Sequence, residues 1–177
     1  MNRPVYVVHG LGGILPFISR GTRKLDEIID ALPPEAETRE RSLDFIQSRW
    51  KEIIDDIIEQ DAKEIILIGH SLGCERVIRV ADWCRVNGVR VLYIAAIDPT
   101  AGYTMKVPEN VRFVDEFWAS SGWPHMARNS RWIKGGKYEY PHGTKHRIFE
   151  VDSAHIPLPG HQTVVDRVVL QVGNLVI

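Results

Sequence analysis

The chain is short of cysteine, of net charge and of long apolar runs, and each shortage narrows what it does. Two cysteines in 177 residues, Cys74 and Cys84, cannot form a disulfide framework. Both fall on the apolar stripe of one predicted helix. Ten residues of helical rise would separate their Cα atoms by about 15 Å, too far for a bridge. They read as buried small hydrophobes in a reducing compartment, with the cytoplasm as the expected location. Lys and Arg number 22 against 23 Asp and Glu, a net charge of -1. The chain as a whole therefore gives no reason to expect nucleic acid or a membrane surface as a partner. No apolar stretch approaches the ~20 residues of a membrane span. Met1-Asn2-Arg3-Pro4 leads straight into a strand-like run, so no signal peptide is expected. No spacing of His, Cys, Asp or Glu resembles a zinc site, and no cofactor is expected.

What is present is ordinary globular material, 44% hydrophobic and 25% charged, with no repeat, low-complexity tract or linker. A single domain over residues 1–177 is expected. Val5-Tyr6-Val7-Val8 predicts a buried strand running into the Gly-rich turn His9-Gly10-Leu11-Gly12-Gly13. Leu25, Ile28, Ile29 and Leu32 predict a helix from about Thr22, ended by Pro33-Pro34. Thr38 to Arg41 is a short strand candidate. Phe45 to Asp61 predicts a helix with Ile46, Trp50, Ile53, Ile54, Ile57 and Ile58 on one face. Glu64 to Ile68, Arg90 to Ala96, Val111 to Phe117 and Arg147 to Val151 read as further strands. A closing helix from about Gln162 carries Val165, Val168, Val169 and Val172. Strands alternating with helices imply an α/β architecture in three layers. About six strands form a mostly parallel sheet with helices on both faces, and ligands are expected at the carboxyl ends of the strands.

Gly69-His70-Ser71-Leu72-Gly73 is the most informative stretch, because it matches the G-x-S-x-G nucleophile elbow. Five residues alone are weak evidence, so context has to decide. An apolar, β-branched run precedes them. After them, Cys74, Val77, Ile78, Ala81 and Cys84 recur at helical spacing, with Glu75, Arg76, Arg79, Asp82 and Arg85 on the other face. Strand, sharp turn, helix is the setting in which a serine hydroxyl is lifted above a sheet edge. Gly flanks are expected because a side chain would not fit there.

With the His9–Gly13 turn after the first strand, an acid after a later strand and a histidine after the last one, the chain resembles the α/β-hydrolase superfamily. It is similar there to small, lid-less esterases and lipases. The resemblance implies the order Ser, acid, His. Asp98 fits the acid, directly after Val91–Ile97, and Ile97-Asp98-Pro99-Thr100-Ala101 is similar to the acid-bearing segment of some animal lipases. The more usual place, after Val111–Phe117, reads Ala119-Ser120-Ser121-Gly122 and offers no carboxylate; Asp115 and Glu116 lie too early. An Asp-Pro turn residue is the other reading of Asp98. His155 fits the base, with His161 as its rival and His125, His142 and His146 behind. His161 begins the closing helix, where the dipole disfavours an imidazolium. The oxyanion would meet the N–H groups of Leu72 and Leu11, with Gly12 the alternative to Leu11. His9 is expected to pin its loop and His70 to pack beside the elbow. Gly12, His70, Trp123 and Arg128 are the candidate substrate contacts.

Other motifs fail. A dinucleotide fingerprint through Gly10 and Gly12 would need glycine where Leu15 stands, and no Gly-Lys-Ser/Thr marks a P-loop. The stretch from Ser120 to Arg147 combines Trp123, Met126, Trp132, Tyr138 and Tyr140 with six basic residues and one carboxylate, Glu139. It is either part of a pocket for an anionic acyl or leaving group or a solvated loop anchored by its aromatics. The expected function is hydrolysis of a small-molecule carboxylic ester or thioester through an acyl-enzyme on Ser71. An acyltransferase on the same residues and a non-catalytic binding protein are the alternatives.

Overall fold

Alternation along the first strand decides the architecture. Val5 and Val7 enter one apolar cluster and Tyr6 and Val8 another. Successive strand side chains point to opposite faces, so this strand is covered on both sides. The computed structural model describes residues 3–10, 24–36, 38–41, 50–100, 104–121 and 138–176. Among the described residues, six strands form one parallel sheet: β1 (Val5–Val8), β2 (Thr38–Arg41), β3 (Glu64–His70), β4 (Arg90–Ile97), β6 (Phe113–Ala119) and β8 (Lys145–Val151). Their order is β2-β1-β3-β4-β6-β8, and each neighbouring pair is parallel. Two-residue strands β5 (Met105–Lys106) and β7 (Tyr138–Glu139) pair separately.

Helices cover both faces. Leu25 and Ile28 of α1 (Lys24–Ala31) join Val164, Val168 and Val172 of α4 (Gln162–Val176) over Val5, Val7, Ile66 and Ile68. On the other side, Ile53 and Ile57 of α2 (Trp50–Glu59) join Cys74, Val77, Ala81 and Cys84 of α3 (Gly73–Val86) over Tyr6, Val8, Ile65 and Leu67. This is the expected three-layer α/β arrangement. Both cysteines are buried and unbridged, as the stripe implied.

Two details differ from the sequence pattern. Ile58 is 60% exposed although it shares the apolar run of α2. At 100° per residue it falls beyond Ile54 on the margin of the buried stripe. The fifth main strand begins at Phe113, not Val111, because Val111 N–H turns back onto the Pro108 carbonyl (3.1 Å) and only bridges Val91.

From β1 the sheet grows one way to β2; from β3 it grows the other way through β4, β6 and β8. The reversal therefore lies between β1 and β3. In open parallel sheets, the carboxyl ends of the strands at such a reversal form the natural ligand crevice. Gly10 follows β1 there, and Ser71 follows β3.

Candidate active site

Ser71 occupies the two-residue gap between β3 and α3, with φ at 57°. A side-chain-bearing residue in that left-handed region costs about 1–3 kcal/mol, so the surroundings must hold it. They do so through the Ser71 N–H, which donates to the Ile97 carbonyl at 2.9 Å and ties the turn to the end of β4. The motif's two glycines are not equally constrained. A Cβ on Gly73 would lie 2.2 Å from the Val8 carbonyl oxygen, an impossible approach, whereas one on Gly69 would meet the Cys74 backbone at 3.0 Å. Gly10 is the third constrained position, since its Cβ would lie 2.6 Å from that of Ser71.

Asp98 leaves the adjacent strand in the same way. Its φ is 44°, and its N–H donates to the Phe117 carbonyl at 2.7 Å. Aspartate tolerates this conformation better than most residues. Register alignment of His70 with Ile97 brings the ends of β3 and β4 level, so Ser71 and Asp98 leave the sheet side by side. His155 comes from the turn after β8. Its Nδ1 lies 2.6 Å from Asp98 Oδ2 and its Nε2 3.0 Å from Ser71 Oγ. The Ala119 N–H donates to the other Asp98 oxygen at 3.3 Å. The side chains of His155 and Asp98 are 13% and 14% exposed, and Ser71 is buried. A carboxylate only accepts, so Nδ1 carries the ring proton. Nε2 then has a free lone pair facing the serine hydroxyl. So held, the ring can take the Ser71 proton, and Asp98 can offset the charge that results.

The remaining candidates separate clearly. His70 is not at the surface: it is buried under His155, with ring centroids 4.8 Å apart. Its Nε2–H donates to the His155 carbonyl at 3.1 Å. Burial, then the charge of His155, pushes its pKa from 6.5 down to about 3, so it stays neutral against the His155 ring. His9 is buried at the end of β1. Leu72 is the N-cap of α3, and its N–H belongs to the first-turn donors that no helical carbonyl takes. His161 is occupied elsewhere, its Nδ1 accepting the Thr163 N–H at the start of α4 (3.3 Å). His146 stacks on Tyr140, and His142 is exposed in a turn. Leu11, Gly12, Trp123, His125 and Arg128 lie outside the described residues. One contact had no signal in the sequence: Thr100 Oγ1 lies 3.2 Å from Ser71 Oγ.

Asp115 and Glu116 are both buried in β6 and point to opposite faces. Asp115 accepts from Arg147 Nε and Nη2 (2.8 and 3.0 Å) and from the Tyr93 hydroxyl (3.1 Å), with Arg167 Nε at 3.5 Å. Glu116 accepts from Trp118 Nε1 (3.1 Å) and from the Tyr140 hydroxyl. Neither carboxylate joins the Ser71–His155–Asp98 chain. No group of three or more His, Cys, Asp or Glu that could hold a metal ion occurs among the described residues.

Comparison with known proteins speaks to the family and the fold. A family model for serine hydrolases matches residues 27–121, more than half of the chain. No curated protein matches. Among solved structures, the chain is similar to the thioesterase domain SrfTE, which cyclises the lipopeptide antibiotic surfactin. The identity is 12%, the coverage 99% of this chain and 93% of that one, and the TM-score 0.54. A putative hydrolase from Agrobacterium vitis S4 gives 10%, 99%, 88% and 0.58, and an arylesterase 14%, 99%, 74% and 0.55. At such identities the likeness speaks for the fold, which is that of the α/β-hydrolases.

Proposed function

The chain belongs to the serine hydrolase family, and from that premise we propose that it cleaves a carboxylic ester or thioester through an acyl-enzyme on Ser71. Ser71 Oγ attacks the acyl carbon while His155 Nε2 takes its proton. Asp98 holds the imidazole in the required tautomer and offsets its positive charge. The Leu72 N–H, with Leu11 as its partner, donates to the oxyanion of the tetrahedral intermediate. Collapse expels the alcohol or thiol, which receives the proton from His155. Water then attacks the acyl group, His155 again acting first as base and then as acid, and the acid product leaves. The chemistry calls for no metal or organic cofactor.

The single observation that supports this reading most is the continuous hydrogen-bonded chain from Asp98 through His155 to Ser71, ending at a serine held at φ 57°. A buried serine donating to a histidine has many structural explanations. A strained serine at a sheet reversal, aligned with a histidine whose far nitrogen is held by a carboxylate, has few. A fluorophosphonate probe tests it: the native protein is expected to label on Ser71, and Ser71→Ala to fold and remain unlabelled. Failure of the native protein to label, or equal labelling of both, overturns the reading. A panel of p-nitrophenyl esters and acyl-thioesters of increasing chain length then identifies the acyl group.

A further inference from the structure

We infer that Thr100 donates a hydrogen bond to the nucleophile and that its main effect is to hasten release of the acyl group. This rests on the acyl-enzyme reading of Ser71. The direction of each hydrogen bond follows from counting protons. Asp98 accepts from His155 Nδ1 at 2.6 Å, so in the neutral imidazole that the acyl-enzyme route starts from, His155 Nε2 is bare and can only accept. Ser71 Oγ, 3.0 Å away, therefore gives it the one proton a serine has. Nothing remains on Ser71 to offer Thr100, and across their 3.2 Å contact the Thr100 hydroxyl must donate.

Its position is set by the segment that carries the acid. Asp98 reverses the backbone at φ 44°, and the buried Pro99 restricts the next torsion. The following residue, half-buried, then presents its hydroxyl to the same rim. A donor so placed acts according to the charge on Oγ. In the acyl-enzyme, Oγ is an ester oxygen and a poor acceptor. In deacylation, water adds to the acyl carbon and its proton goes to His155 Nε2. The bond from carbon to Oγ then breaks, its electron pair passes to Oγ, and His155 returns the proton there. The Thr100 hydrogen bond strengthens as that pair arrives, so it favours the transition state over the acyl-enzyme. In acylation two effects oppose each other. The donor eases loss of the serine proton, yet it also draws electron density from the attacking oxygen. The net change there is smaller.

The test separates the two half-reactions. With p-nitrophenyl pivalate, whose bulky acyl group slows attack by water, the burst rate reports acylation and the steady-state rate reports deacylation. Thr100→Val keeps the side-chain shape and removes the hydroxyl; Thr100→Ser keeps the hydroxyl. Thr100→Val is expected to lower the steady-state rate about tenfold, or about 1.4 kcal/mol, and the burst rate less than threefold. Acyl-enzyme mass should accumulate on Ser71, and Thr100→Ser should restore near-native turnover. Equal losses in both phases, an unchanged steady-state rate, or failure of Thr100→Ser to restore it would each overturn the role of Thr100. If the native protein gives no burst and no probe labelling of Ser71, the acyl-enzyme reading falls, and this inference with it.

Discussion

Two aspartates on neighbouring strands, Asp98 and Asp115, show how one residue type is put to two uses. Asp115 sits mid-strand, fully buried, among Arg147, Arg167 and Tyr93. Burial holds its carboxyl above the ordinary range, with Arg147 pulling the other way, and burial together with Asp115 pushes the Tyr93 phenol well up. Its lone pairs are taken by Arg147 and Tyr93 and its charge also faces Arg167, so it is consumed in fastening β4, β6, β8 and α4 together. Asp98 lies one residue past the end of β4, where it accepts one backbone N–H and one imidazole. Its charge faces the His155 ring, which in the proposed mechanism takes and returns the Ser71 proton. A strand interior makes a carboxylate structural by surrounding it with fixed cations. A strand end leaves room for a neutral hydrogen-bonding partner from another loop.

Three substitutions probe that contrast, from the largest expected effect down. Asp98→Asn should lower kcat/KM on a p-nitrophenyl ester by about 10³–10⁴-fold, because the amide no longer secures the Nδ1–H tautomer. Circular dichroism should stay native. A loss under tenfold would remove Asp98 from the acid's role.

The next test concerns His70, the rim's buried neutral histidine. Its pKa is about 3 in the folded chain and 6.5 when unfolded. Between those values the unfolded state binds more protons, so stability is full above pH 6.5 and is lost as pH falls toward 3. By pH 4 the loss is about 3 kcal/mol. Denaturant unfolding of His70→Gln at pH 4 and pH 7 should show that part of the acid sensitivity removed. If the variant is as acid-sensitive as the native chain, His70 is not held neutral.

Smallest is Asp115→Asn, expected to cost about 2 kcal/mol of stability, because Arg147 and Arg167 lose their counter-charge yet still reach water. Fluorophosphonate labelling should proceed within twofold of the native rate. A labelling defect matching that of Asp98→Asn would erase the distinction between interior and rim.

Much of this was legible in the sequence because it is local. Periodicity marks α3 and α4, β-branched runs mark β1, β3 and β4, and the elbow is marked by five residues set between such a run and such a helix. Asp98 and His155 are 57 positions apart, yet the alternation of strands and helices sends both to one rim, and the structure brings them to 2.6 Å. Ile58 is exposed although it fits the apolar repeat, because a repeating pattern marks the stripe but not its edge. Thr100 left no trace, since its contact with Ser71 depends on the backbone reversal at Asp98. The place of His70 beneath His155 depends on how the last turn settles over the elbow. Neither is a property of a residue type at a spacing.

Ser71 hangs by its N–H on the last carbonyl of β4, and Asp98 by its own on Phe117 of β6. These are rungs that extend the central ladder by one step, unlike the solvent-facing amides of most reactive loops. Their hydrogens are expected to exchange with water about as slowly as those of the inner strands, which hydrogen-exchange measurement checks. Heat or denaturant is then expected to remove the shape of the Ser71 turn and that of the sheet in one transition.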